Sequence, residues 1–200
     1  MEIKRIILIR HGESTANKNR TLTGRSDSEL TSQGKIQAKK ASGFIKKRYS
    51  PIDIIYTSPL KRAYKTAEII SRKVKAPVKK NDLLLETNFG CWEGCVKDTL
   101  KSEPEWEKYL DDPFHFHFPG GESPQEVKKR ILAFKKSLLM DTDWRNIVVV
   151  SHYTPTVFFI LSVFGNDNTS HARFRVDNAS LTVIEKTHDF EYIGMLNFTP

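Results

Sequence analysis

The chain has 200 residues with 38% hydrophobic and 28% charged side chains, a composition that is neither that of a disordered chain nor that of a membrane protein and suits a soluble globular protein with one sizeable core. No apolar run approaches the roughly 18 residues of a membrane helix, and the N-terminus (Met1-Glu2-Ile3-Lys4-Arg5-Ile6) lacks a signal-peptide core, so a cytoplasmic protein is expected. The formal net charge of +8 admits nucleic acid, an anionic surface or an anionic small molecule as partner. The lysines are spread over two helical stretches (Lys35, Lys39, Lys40, Lys46 and Lys47; Lys128, Lys129, Lys135 and Lys136), which reads as solvated faces. No zinc-finger spacing or aromatic-interleaved basic motif points to nucleic acid, and none is expected as a partner.

In chain order, the first element is a strand over Lys4–Ile9. Its unbroken core, Ile6-Ile7-Leu8-Ile9, suits a strand covered on both faces. Residues 10–30 read as a polar loop, and Thr31–Arg48 as a helix. Ile52–Tyr56 is a second strand. Ser58-Pro59 predicts an N-cap followed by proline at the first helical position, opening a helix to about Lys73. Pro77–Lys80 suggests a short strand. Residues 86–122 are irregular and read as an insertion over one end of the sheet. Ser123-Pro124-Gln125-Glu126 matches a capping box opening a helix to about Leu139. Asn146–Val150 is a third buried strand, and a helix follows from about Thr154, with Thr156–Phe164 its buried apolar run. Ser180–Glu185 and Tyr192–Leu196 are two further strands. Alternating strands and helices predict an α/β fold: a three-layer α/β/α sandwich with a mostly parallel sheet, in a single domain over 1–200.

Three buried strands end in residues suited to phosphate. The first runs into Arg10-His11-Gly12, the second into a helix whose first turn carries Arg62, and the third into Ser151-His152. Ligands of open α/β sheets bind beyond the carboxyl ends of the strands. If the three strands are parallel neighbours, Arg10, His11, Arg62 and His152 meet at one edge. Two guanidiniums supply forked, permanently charged donors, and two imidazoles supply a nucleophile and a further donor.

Leu8-Ile9-Arg10-His11-Gly12-Glu13-Ser14 with Asn17 resembles the signature of the histidine phosphatase superfamily, which includes phosphoglycerate mutases, alpha-ribazole phosphatases and broad-specificity phosphatases. Five further blocks resemble it in order: Leu30-Thr31-Ser32-Gln33-Gly34 with Gln37-Ala38; Tyr56-Thr57-Ser58-Pro59-Leu60-Lys61-Arg62-Ala63 with Thr66-Ala67; Leu85-Glu86 with Phe89-Gly90 and Trp92-Glu93-Gly94; Pro119-Gly120-Gly121-Glu122-Ser123; and Val150-Ser151-His152. Together they cover roughly residues 3–185. One departure stands out. Many members follow the second histidine with small residues and then an arginine, where this chain has Tyr153, Thr154, Pro155, Thr156 and Val157.

The resemblance implies a phosphatase that works through a phosphohistidine on His11, with no metal or other cofactor. Arg10, Arg62, His152 and Asn17 would hold the phosphoryl oxygens, and the backbone N–H of Tyr153 would stand beside them. Such a clamp suffices because phosphoryl transfer needs mainly positioning and charge stabilisation. A cation about 5 Å away raises the cost of protonating His11 by roughly 3 kcal/mol at an effective dielectric near 20, which favours the neutral nucleophile. The resemblance places Glu86 as general acid and then base. Glu13 is a second carboxylate, read as an organiser of its loop.

Cys91, Cys95, His115 and His117 raise zinc as an alternative, but their spacing is irregular for it and no metal is expected. Phe114, Phe116 and Phe118 alternate with the histidines, and either pack the insertion onto the body or line the mouth of the site. His171 and His188 carry no assignment. A small phosphorylated metabolite is the expected partner, and a homodimer is left open. The competing functions are a phosphoglycerate mutase, a phosphate-binding regulator without turnover, and a basic nucleic-acid binder.

Overall fold

The computed structural model describes residues 3–141, 143–165 and 173–200; residues 1 and 2 and His171 lie outside them. Six strands form one sheet: β1 (Lys4–Arg10), β2 (Ile54–Thr57), β3 (Val78–Lys80), β4 (Asn146–Ser151), β5 (Leu181–Lys186) and β6 (Glu191–Phe198), in the order β3-β2-β4-β1-β5-β6. The pairings β1–β4, β2–β4 and β2–β3 are parallel, and β1–β5 and β5–β6 antiparallel. The expected mostly parallel sheet is thus present, with β5 alone running against the others and β6 beyond it returning to the direction of β1.

Alternation along the strands makes two cores. Ile6 and Leu8 of β1 point with Ile147 and Val149 toward α5 (Pro124–Met140) and α6 (Tyr153–Leu161); Ile7 and Ile9 point with Val148 and Val150 toward α2 (Ser32–Tyr49) and α3 (Lys61–Val74). This is why the strand centres are apolar at every position: each neighbour faces a different helical layer. The three-layer expectation holds. Ser123 caps α5 through the capping box with Glu126. Two helices are short: α1 (Thr15–Lys18), capped by Ser14, and α4 (Trp106–Asp111).

Three sequence expectations are corrected. The helix after β2 opens at Lys61 with Leu60 as its cap residue and no side-chain cap bond, because the Ser58 hydroxyl is engaged elsewhere, 2.8 Å from His152 Nε2. The basic face of α5 is not wholly solvated. Lys135 is buried, its Nζ 2.5 Å from Glu191 Oε2 on the edge strand and 2.9 Å from Ser162 Oγ. The apolar run after β4 is helical only to Leu161, and Phe164 beyond it is exposed. Among the described residues no helix is long and apolar enough to cross a membrane.

Between β3 and α5 the chain forms three 3-10 turns (Asp82–Leu84, Gly90–Trp92 and Thr99–Ser102) and α4. A separate aromatic cluster holds this segment together, centred on buried Trp92, Leu100 and Phe118 with Trp106, Tyr109 and Phe116 packed around them. The alternating phenylalanines divide their roles: Phe114 enters the main core, whereas Phe118 is buried in this cluster and faces the cavity described below.

Candidate active site

The sheet brings the three strand ends together. Arg10 lies opposite Ser151 in the β1–β4 register, and Thr57 opposite Val150 in β2–β4. The ladder continues past the strands, with His11 N donating to Ser151 O and Ser58 N to Val150 O. His11, Ser58 and His152 therefore sit side by side just past the ends of β1, β2 and β4, and the two imidazole centroids are 5.1 Å apart at 62°.

A backbone carbonyl fixes the tautomer of His11. His11 Nδ1 is 2.7 Å from the Gly12 carbonyl. A carbonyl can only accept, so Nδ1 carries the proton and Nε2 keeps its lone pair. Burial, then Arg62 and Arg10, hold His11 well below the ordinary imidazole pKa, against the opposing pull of the Gly12 carbonyl. At His152, Nε2 lies 2.8 Å from the Ser58 hydroxyl, which also accepts from Leu60 N at 3.4 Å. Its Nδ1 is buried and has no protein partner among the described residues. His152 is likewise held well below the ordinary value, by burial first and then by Arg62.

Arg10, His11, Asn17, Arg62, Glu86 and Tyr153 line one cavity of about 390 Å³. Arg62 is 2% exposed. Its NH1 donates to Ser26 O and its NH2 to Gly24 O and, longer, Thr23 O, so the guanidinium is anchored by the loop after α1 while its remaining donors serve the cavity. Arg10 NH1 donates to Val176 O at 2.7 Å, and its buried Nε has no partner among the described residues. Both guanidinium pKa values are lowered by burial, with Glu86 the largest opposing influence. Buried polar atoms are almost always paired. An orphaned donor on the cavity wall, Arg10 Nε, is what a site for a bound anion requires; His152, whose Nδ1 is also orphaned, is fully buried behind the wall, its ring against that of His11.

Glu86 closes the other side. Its Oε1 accepts from Thr87 N at 2.8 Å, and its Oε2 accepts from Tyr153 N at 3.0 Å at the start of α6. The amide of Tyr153 is thus taken by Glu86 rather than turned freely to the cavity, which corrects the role expected for it. The Tyr153 ring does not block the cavity. Its hydroxyl donates to Phe174 O at 2.7 Å and its face lies 5.8 Å from the Arg10 guanidinium. Asn17 Oδ1 accepts from Ser14 N, Ser14 Oγ and Asn178 Nδ2, which turns the amide so that its NH2 is the group left for a ligand.

The remaining sequence blocks brace these groups. The loop Gly12–Glu13 passes so close to Gly34 that a Cβ at Gly12 would lie 2.4 Å from Gly34 O, and one at Gly34 would lie 2.0 Å from Glu13 O. Only glycine fits either position. Gly12 N donates to Thr66 Oγ1 and Glu13 N to Gln37 Oε1. Glu13 Oε1 accepts from Thr31 Oγ1 at 2.6 Å, in keeping with its reading as a loop organiser. Glu93 accepts from Arg25 N, Ser26 N and the Ser26 hydroxyl, so it holds the loop that grips Arg62. Glu122 binds Arg25, Arg130 and the amide of Asn88, while Arg130 NH2 also donates to the Glu86 carbonyl.

Sequence reasoning missed several participants. Residues 176–179, before β5, support Arg10 through Val176 O, and Ala179 N donates to the carbonyls of Arg10 and His11. Lys97, Tyr109, Phe89 and Leu22 line the cavity; the irregular pattern of 86–122 gave no means of aiming them. The zinc candidates do not converge. His115 pairs with Asp112 and His117 with Glu126, and among the described residues no group of three metal-ligating side chains forms. His188 is exposed beside Asp189.

Comparison with known proteins agrees with this geometry. Phosphoserine phosphatase 1 of Hydrogenobacter thermophilus is 33% identical over 197 residues, covering 98% of this chain and 92% of the relative. The 2,3-bisphosphoglycerate-dependent phosphoglycerate mutase of Buchnera aphidicola is 46% identical over 115 residues, 56% of this chain and 48% of the mutase. The crystal structure of the alpha-ribazole phosphatase from Shigella flexneri superimposes with a TM-score of 0.87 at 29% identity, over 97% of this chain and 96% of that one. The family model of the histidine phosphatase superfamily (branch 1) matches residues 6–199, and the chain is an enzyme of that superfamily.

Proposed function

We propose that the protein is a phosphatase that hydrolyses a small phosphomonoester through a phosphohistidine on His11, with no metal in the reaction. The observation that carries this reading is the bond from His11 Nδ1 to the Gly12 carbonyl, which leaves Nε2 unprotonated between two guanidiniums. His11 Nε2 attacks phosphorus in line, and the bond to the leaving oxygen breaks. Arg10, Arg62, His152 Nδ1 and the Asn17 amide hold the equatorial oxygens, acting where charge is redistributed in the transition state. Glu86, on the same cavity, gives the departing alkoxide its proton. In the second step Glu86 takes a proton from water, the water oxygen bonds to phosphorus, and the N–P bond breaks, restoring both residues.

The test is phosphate release from a panel of phosphorylated metabolites in the presence of EDTA. Release that His11→Ala abolishes supports the reading; dependence on an added metal argues against it. The likeness to a mutase over 115 residues gives a second reading, in which the phosphoryl group returns to the substrate. Assay of 3-phosphoglycerate with and without a bisphosphate primer separates the two: primer-dependent isomerisation without net release would replace the phosphatase reading.

A further inference from the structure

A second cavity, of about 170 Å³, adjoins the phosphate site. Leu22, Phe89, Lys97, Tyr109 and Phe118 line both cavities and form the seam between them. The far wall of the smaller one is Trp92, Leu100 and Trp106. Its rings are fixed against one another: Trp106 and Tyr109 at 5.4 Å, Trp92 and Phe118 at 5.4 Å, Trp92 and Trp106 at 6.1 Å. Lys97 is the one charged residue in the lining, and it is exposed.

We propose that this chamber is the leaving-group subsite and takes a flat apolar ring carried on the alcohol part of the phosphomonoester. This deepens the phosphatase reading and rests on it. Size supports a ring, since an apolar cavity of about 150 Å³ holds benzene. Chemistry supports it too. Aromatic walls meet a flat ring edge-to-face or offset, and a ring entering the chamber exchanges water for dispersion contacts on several sides. A sugar or other polyol would strip water from its hydroxyls and find no side-chain carboxylate or amide in return, only the Lys97 ammonium, the Tyr109 hydroxyl and the indole N–H groups of Trp92 and Trp106. Continuity with the clamp makes the substrate the occupant, because a group in the chamber meets the same five seam residues as a phosphate monoester held at His11.

Benzyl phosphate and ethyl phosphate test this, since both leave as alkoxides and differ in the ring. The expected result is a kcat/KM about tenfold or more higher for the benzyl ester, as ring burial would give, with the ratio falling in Trp106→Ala. A readout in the unmodified protein guards against misfolding of that variant. Of the three tryptophans, Trp92 and Trp106 line the chamber, whereas Trp144 is buried in the main core beneath Lys4. Saturating benzylphosphonate should therefore change tryptophan emission, and saturating ethylphosphonate should change it far less. Equal kcat/KM for the two esters with indistinguishable emission changes would overturn the subsite and leave the phosphatase reading standing. Release of phosphate from neither ester, nor from the metabolite panel, would sink that reading and the subsite with it.

Discussion

The Glu86 carboxylate sits on the opening turn of α6, its Oε2 accepting from the Tyr153 amide at 3.0 Å. This contact joins the segment after β3 to the helix after β4, and it fixes the carboxylate at the edge of the cavity that holds His11. In the proposed mechanism Glu86 serves the leaving oxygen, so its removal should matter in proportion to that oxygen's need for a proton. Glu86→Gln, which keeps the shape, is expected to lower kcat about 10²- to 10⁴-fold on alkyl phosphates and much less on p-nitrophenyl phosphate. Parallel steady-state assays check this, and equal losses on both substrates would remove Glu86 from the acid role.

The tautomer of His11 leads to a direct chemical test. His11→Ala should leave less than about one thousandth of the wild-type turnover, the scale of loss seen when a nucleophile is deleted. Wild-type enzyme quenched in alkali during turnover should carry phosphate on His11, detectable by mass spectrometry. Residual turnover in His11→Ala close to wild type would show that another group attacks.

Tyr153 is tied down by its hydroxyl on Phe174 O. Tyr153→Phe loses one neutral hydrogen bond, about 1 kcal/mol, and should lower Tm by about 2–4 °C for a chain of this size. Tyr153→Ala also removes the ring beside Arg10 and should in addition raise KM. Calorimetry and kinetics on the two variants separate the anchor from the ring.

Arg130 forms an ion pair with Glu122 at 3.1 Å in a largely buried setting, and donates to the carbonyls of Leu83 and Glu86. Arg130→Met leaves three acceptors short of a donor and should destabilise the fold by about 3 kcal/mol or more. Denaturant unfolding measures this; a loss under 1 kcal/mol would mean that the segment around Glu86 is held by other contacts.

Both imidazoles should make the protein sensitive to mild acid. Their folded pKa values are depressed, by burial first and then by Arg62, whereas the unfolded chain takes up protons near pH 6.5. Below that pH the unfolded state binds more protons, so stability is fully present above about 6.5 and is lost as pH falls toward the folded values. Each histidine contributes a slope of up to about 1.4 kcal/mol per pH unit. Urea midpoints measured from pH 7.5 to 5 should decline, and the decline should flatten in a His11→Asn/His152→Asn double variant. An unchanged slope in that variant would assign the acid sensitivity to other groups.

The frame of this site was legible in the chain because it depends on local rules. Ile6–Ile9 and Ile147–Val150 are apolar at every position since the sheet is covered twice, and strands of that kind run parallel and end at a ligand edge. The Ser123–Glu126 cap is a four-residue device and could be read directly. What escaped reading was set by distant partners. Ser58 resembles a helix cap, but the sequence does not say that His152 lies beside its hydroxyl. Lys135 looked like a solvated cation until β6 placed Glu191 over it. The carbonyls of Thr23, Gly24 and Ser26 that grip Arg62 carry no side-chain signal at all.

The brace under His11 comes from the far end of the polypeptide. Ala179, in the left-handed region at φ 56°, turns its amide onto the Arg10 and His11 carbonyls, and β5 then zips along β1. A ribosome that has made residues 1–152 has supplied every group of the proposed phosphate clamp, yet β1 still lacks the neighbour on its open side. The proposed site is therefore braced only once the final quarter has emerged and docked, and pairing partners so remote in the chain are of the kind that form late in folding.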